Sequence, residues 1–230
     1  MNKKSGIRKP ADLNGKRVGL QTWITSAALW AKGMLQDDHG VNLASIQWVA
    51  WQPVRIPDWR APTWLKMEIA PKGTEQFDLL AQGSIDAGIT TEIWAPNRHP
   101  DIDFLFPDYA RVEREYYQRT KFFPIMHTLL VRTSVLEANP WVARSLFDAW
   151  QRSKEACYQQ QAWQRIHQTA LWYRGLWEEE RAVGGEDFYA WGFKRSREEL
   201  ATLLRYSHEQ ALTPRLYAPE ELFPATMLDT

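Results

Sequence analysis

The chain has 230 residues, with 28 Lys plus Arg against 28 Asp plus Glu, so its formal net charge is zero. That length suffices for one large domain or two lobes with a real core, and the balanced charge excludes the basic field that a nucleic-acid binder needs. A single cysteine, Cys157, excludes an internal disulfide framework and fits a reducing compartment. The basic start, Met1 to Pro10, has no apolar stretch behind it, so no secretory signal is expected, and no run approaches the ~18 apolar residues of a membrane span. Thirteen tryptophans bring large apolar area with a polar edge, suited to a core, an interface or an aromatic ligand cleft.

In chain order, PADLNGKRVGL (10–20) reads as a helical turn, a Gly turn and a strand at Arg17–Leu20. Gln21 to Ser26 is a polar link. Ala27, Trp30, Ala31, Met34 and Leu35 then form one apolar helix face, capped by Thr25 or Ser26 and ended by Asp38-His-Gly40. Ile46–Trp51 is the second strand. Residues 52–73 contain Pro53, Pro57, Pro62 and Pro71 and read as loop, with a strand near Lys66–Ile69. Thr74 caps a short helix carrying Phe77, Leu80 and Ala81, and 83–90 is a turn followed by a buried strand. Phe104–Phe106 reads as a further strand and Tyr109–Thr120 as a charged helix. Strands separated by helices imply a parallel sheet.

The stretch from Phe122 to Phe147 divides the chain, because the residues beyond it are almost wholly helical in pattern. Thr128–Val131 is short, apolar and β-branched, and reads as a buried strand. Asn139-Pro140 marks a helix start, with Val142, Leu146, Ala149 and Trp150 as the buried face of a helix from Trp141 to about Tyr158. Trp163–Trp177 is the next helix, and Gly184–Asp187 a loop. Ser196-Arg-Glu-Glu199 fits a capping box, opening a helix that continues through Leu200, Leu203 and Leu204 to about Gln210.

Several of these segments carry a family resemblance. PADLNGKRVG (10–19), the capped helix after it, and LAQGSIDA (80–87) resemble the two-lobed type II periplasmic-binding-protein-like fold. LFPDY (105–109), EYY (115–117), FPIMHT (123–128), ANPWVA (138–143), GEDF (185–188), LRYSHEQAL (204–212) and PEELF (219–223) resemble the 4,5-dihydroxyphthalate decarboxylase family, which uses that fold as an enzyme. The likeness covers nearly the whole chain from Gly6. It implies an α/β protein with one complete βαβ lobe at 13–122. Residues 1–12 and 123–230 would form the crossover and the helix-rich remainder of the other lobe, without the N-terminal βαβ portion that family members carry. The segment TEIWAP (91–96) departs from the family's cleft loop.

The implied reaction is cofactor-independent decarboxylation of a dihydroxylated aromatic dicarboxylate in the cytoplasm. Such a site needs a proton donor, a base for a phenol, an anchor for the retained carboxylate and a dry pocket around the leaving one. His127, just before the expected strand, is the candidate for proton transfer, since imidazole serves as acid or base near neutrality; the alternative is a structural histidine. Thr25 and Ser26, opening a helix, are candidates for the carboxylate anchor, where free N–H groups and the helix dipole favour an anion; plain N-capping is compatible with this. Glu92 follows a strand and is the candidate base, against a solvated loop carboxylate. Trp23 and Trp94 are candidates to stack on the substrate ring, and Tyr116 or Tyr117 to donate a hydrogen bond, against core packing. His99, Asp101 and Asp103 lie close in sequence, but no metal is implied and a solvated loop accounts for them. Cys157 reads as a buried, inert thiol.

The expected partner is a small aromatic carboxylate, with no nucleic acid or membrane and with self-association as an option. The rival readings are a solute-binding protein of the same fold without catalysis, and an inactive, truncated relative whose sheet edge a partner subunit covers.

Overall fold

The computed structural model describes residues 1–92, 99–163, 171–189 and 191–230. Its chain divides into two units, one of residues 1–112 with 202–216 and one of 113–201 with 217–230.

The first unit is built on four strands, β1 (Arg17–Leu20), β2 (Gln47–Ala50), β3 (Lys66–Ile69) and β4 (Ala87–Ile89). All pairings are parallel and the order is β3-β2-β1-β4. Among the described residues the chain has seven α-helices, α1 (Ser26–His39), α2 (Gln76–Ala81), α3 (Tyr109–Thr120), α4 (Thr133–Ala138), α5 (Val142–Trp163), α6 (Tyr173–Gly184) and α7 (Phe193–Glu209). The expected α/β class with a parallel sheet is therefore present.

Residues of a strand alternate between the two faces of its sheet. Val18, Leu20, Trp48, Ala50 and Ala87 join Trp23, Leu35 and Val41 in one core. Val49 faces the other way, packing with Ala70, Leu80, Ile85 and Ile102. Because α1 and α2 each supply residues to a different core, both faces of the sheet are covered, as a parallel sheet requires. Gly19 sits where an added Cβ would lie 2.7 Å from Ile85 Cδ1, so its lack of a side chain lets the second layer approach β1.

The helix α1 ends where the sequence predicts, with Gly40 left-handed at φ 64° and its N–H returned to the Leu35 carbonyl. Its buried face includes Lys32 and Gly33 as well as Trp30 and Leu35. Against Gly33 lies the ring of Tyr206 from α7, itself edge-on to Trp30 at 5.6 Å and bonded through its hydroxyl to Asp37 at 2.8 Å.

In the second unit no strand occurs among the described residues. Lys154 of α5, 8% exposed, holds both oxygens of Asp187 at 2.8 Å and the Tyr189 carbonyl at 2.9 Å. This bond set anchors the GEDF motif to the long helix. Arg114 of α3 pairs with Glu179 of α6 at 3.0 Å.

Several expected elements differ. Residues 104–106 and 128–131 form no strand; Leu129 and Leu130 are 58% and 87% exposed, so an apolar, β-branched run here finds no ladder partner. Of the helix expected over 163–177, residues 164–170 lie outside the described set, residues 171 and 172 form a turn, and a helix runs from Tyr173 to Gly184, its acidic run carried by pairs such as Arg174 with Glu178 at 2.6 Å. Ser196 lies inside α7, its N–H bonded to the Gly192 carbonyl at 3.1 Å, so 196–199 is not a start box. Trp150, expected on a buried face, is 52% exposed beside Trp191, and Cys157 is exposed.

A Cβ at position 33 would lie 2.3 Å from two ring atoms of Tyr206. Exchanging Gly for Ala inside a helix ordinarily adds about 1 kcal/mol of stability. Here the ring is pinned at its hydroxyl and its face, so overpacking of about 1–3 kcal/mol should win and reverse the sign. Gly33→Ala is expected to lower the urea midpoint at an unchanged slope; a raised midpoint would contradict this packing.

Candidate functional site at the carboxyl ends of the parallel strands

In an open parallel sheet, the strand order reverses at one point, and the loops leaving the strands there diverge to leave a crevice. In the first unit that point falls between β1 and β4: the chain runs outward from β1 through β2 to β3, then returns to the other side of β1. The loop after β1 contains Trp23, Thr25 and Ser26, and the segment after β4 contains Glu92. Four of the predicted site residues therefore share one end of the sheet, on adjacent strands.

The loop after β1 is held from beneath. Trp23 is wholly buried, its indole N–H donating to the Gln210 carbonyl at 2.9 Å and its ring edge-on to Trp48 at 5.2 Å. Its own carbonyl accepts from Lys32 Nζ at 2.8 Å, and that nitrogen stands 3.1 Å from the centre of the Trp23 ring. Gln210 closes the circuit by donating its side-chain amide to the Leu29 carbonyl at 2.9 Å. Trp23 thus lies in the core with its faces occupied by protein. Thr25 is the N-cap of α1 in extended geometry, and its side chain makes no capping bond. Thr25 and Ser26 are both half-buried, and Glu92 is exposed with its N–H on Thr90 Oγ1 at 3.0 Å. Trp94 lies outside the described residues.

Gln76, opening α2, was not anticipated from the sequence. Its amide nitrogen reaches the Gly19 carbonyl at 3.2 Å and the Ile89 carbonyl at 3.3 Å, tying β1 to β4 at the switch point. Gly88 makes room for it: a Cβ there would lie 2.5 Å from that nitrogen. The only sequence signal was a Gly in the middle of a strand, which often marks a close approach.

The remaining predicted residues belong to the second unit. His127 is exposed, in a segment without regular structure, and Tyr116 is half-buried on α3. Its neighbour Tyr117 is the more deeply buried, 6% exposed and stacked on Phe188 at 4.6 Å. An open cavity of about 50 Å³ lies among Tyr158, Trp177, Arg181, Phe188 and Tyr189. Among the described residues no three His, Cys, Asp or Glu side chains gather as a metal site. His99 stacks at 6.3 Å from Phe77, and Asp101 pairs with Lys4 at 3.1 Å.

No family model matches the chain. It is 32% identical over 235 aligned positions to a 4,5-dihydroxyphthalate decarboxylase of Comamonas testosteroni, covering 98% of this chain and 71% of that relative. The chain belongs to the 4,5-dihydroxyphthalate decarboxylase family. A second member, from Pseudomonas putida, is 28% identical over 126 residues, which is 51% of this chain and 48% of the relative. The family likeness therefore takes in the loop after β1, the switch point and the FPIMHT segment together.

Burial holds the Lys32 amine well below the ordinary lysine range. The folded state gives up this proton more readily than the unfolded chain, so the cost of the charge is full at low pH. That cost fades as pH rises toward the unfolded value near ~10.4. Wild type should therefore gain thermal stability relative to Lys32→Met between pH 7 and pH 10, whichever is the more stable at pH 7. A difference that stays flat across this range would show that the amine is not desolvated.

Proposed function

We propose that this chain is a carboxy-lyase that converts 4,5-dihydroxyphthalate, or a close analogue, to protocatechuate and CO2 without an organic cofactor. The observation that carries the reading is 32% identity over 98% of the chain to a relative of that name. The geometry adds a sheet switch point, the place where open parallel sheets take ligands, with the start of α1 in the loop that leaves β1 there.

The chemistry sets the roles. Proton addition at the ring carbon bearing the leaving carboxylate, with loss of the para-hydroxyl proton, turns that ring into a dienone. Its carboxylate is then vinylogous to a β-keto acid. The C–C bond breaks, its electron pair restores the aromatic ring and the phenolate, and CO2 departs. One proton is consumed and no electrons are exchanged, so the substrate's own ring serves as the electron sink. We assign proton transfer to His127, phenol deprotonation to Glu92, and the retained carboxylate to Thr25 and Ser26 at the start of α1. Tyr116 is assigned a hydrogen bond to the substrate. Trp23 supports the anchor from below, given that its ring is already enclosed.

In this reading the architecture is the type II periplasmic-binding-protein-like fold, with the sheet-containing part, 13–122, as the complete lobe and the helical part as the remainder of the other. We place the protein in the cytoplasm, acting on a small aromatic acid, with self-association as a further expectation.

The test is to incubate purified, folded protein with 4,5-dihydroxyphthalate and follow CO2 and protocatechuate. Turnover is expected to survive exhaustive chelation of metals. His127→Ala should lower kcat by roughly 10²–10⁴-fold, the usual contribution of a positioned acid or base. Calorimetric binding without product would instead support a solute-binding protein, and neither binding nor turnover would remove the reading.

A further inference from the structure

Gln76 lies on the face of the sheet where two glycines stand side by side. Gly19 of β1 and Gly88 of β4 are partners in register, and glycine weakens a strand because it has no side chain to pack. The room they leave is taken by the Gln76 side chain. Of the atoms that a Cβ at position 88 would meet, the three nearest all belong to Gln76, the closest being Nε2 at 2.5 Å. A Cβ at position 19 would lie 3.4 Å from the same nitrogen. That nitrogen donates to the Gly19 carbonyl at 3.2 Å and to the Ile89 carbonyl at 3.3 Å, so one amide spends both of its protons on two different strands. The opposite setting would press the amide oxygen against two carbonyls, so this pair of bonds also fixes which way the amide faces.

The backbone that delivers Gln76 is itself held. Trp51, next after β2, donates its indole N–H to the Thr74 carbonyl at 2.7 Å, and Thr74 Oγ1 donates to the Pro71 carbonyl at 2.7 Å. On the other side of the tie, Ile89 is the last residue of β4, and Glu92 follows three residues later. Between them Thr90 Oγ1 accepts the Glu92 N–H at 3.0 Å, so the tied carbonyl and the Glu92 backbone are linked through one local hydrogen bond. The loop after β1 has separate fixings, since Lys32 holds the Trp23 carbonyl at 2.8 Å and the Gln210 carbonyl takes the Trp23 N–H at 2.9 Å. An apolar side chain could fill the seat between the glycines, but it could not hold two strand ends at a set spacing.

We infer that Gln76 is a positioning residue for the proposed reaction: by tying the end of β4 to β1, it sets where the Glu92 carboxylate stands relative to the start of α1. This rests on the reading in which Glu92 takes the phenol proton. Because the start of α1 has its own fixings, loss of the Gln76 amide disturbs the base and spares the carboxylate anchor.

Gln76→Met, which keeps the bulk and gives up both donors, tests this with two readouts. By NMR, the backbone order parameters of Thr90 and Glu92 should fall toward the flexible range, about 0.6, while those of Ser26 and Ala27 stay at their wild-type values. In turnover, Gln76→Met should lose roughly 10–100-fold in kcat with KM within about threefold, the pattern of a misplaced group rather than a lost binding contact. Added to Glu92→Gln, it should cost less than about threefold more, because both act through one group. If Gln76→Met does not fold, Gln76→Asn, whose amide is one methylene too short to reach both carbonyls, takes its place with the same expectations. Folded variants with unchanged order parameters at Thr90 and Glu92, a loss carried by KM, or losses that multiply in the double variant would overturn the inference. Absence of wild-type turnover would defeat the decarboxylase reading alone, since the order parameters decide independently whether Gln76 holds Glu92.

Discussion

At the centre of the first unit stands a lysine that no carboxylate pairs among the described residues. Lys32 is fully buried, and its ammonium meets one backbone carbonyl and the face of one indole, both belonging to Trp23. Taking such a charge out of water is costly, and a carbonyl with a π face compensates only in part. What the arrangement secures is the path of the chain between β1 and α1. Trp23 is held by Lys32 through its carbonyl, by Gln210 through its N–H and by Trp48 through its ring, so the next residues, Ile24 to Ser26, leave a rigid base. An anion site made from a helix start depends on that rigidity, because its donors are backbone groups that cannot adjust by rotamer change.

The two units solve different problems. The first covers a parallel sheet on both faces and keeps the carboxyl ends of β1 and β4 side by side, with Gln76 bridging them. The second has no sheet among its described residues and relies on a buried polar fixing instead: Lys154 on the Asp187 carboxylate and the Tyr189 carbonyl. In the first unit, a lysine buried against backbone holds the segment to which the anchoring role is assigned. Charges used in this way contribute geometry more than stability.

Much of the first unit was legible in the chain. β1, β3 and α1 fall where periodicity and turn residues place them, because local propensity and burial agree there. The sheet's parallel sense came from strands alternating with helices. Strands at 104–106 and 128–131 failed for a common reason: an apolar, β-branched run becomes a strand only where a neighbour offers its ladder, and nothing local encodes the neighbour. The place of Thr25, Ser26 and Glu92 at one end of the sheet was legible because helix starts and strand ends carry sequence signatures. Lys32 was not. A lysine in a helix looks like a solvated residue, and its burial is decided by Trp23, in the loop before that helix. Trp23 itself was singled out for a ring to stack on substrate, and the same burial that makes it important encloses that ring.

The retained carboxylate of the substrate is assigned to the amides that open α1, and isotope-edited NMR addresses this most directly. Titrating the labelled protein with phthalate, which has both carboxylates and no hydroxyl to react, should move the amide resonances of Thr25, Ser26 and Ala27 first and furthest, saturably. Saturable shifts confined to other residues, with those three amides unmoved, would contradict it.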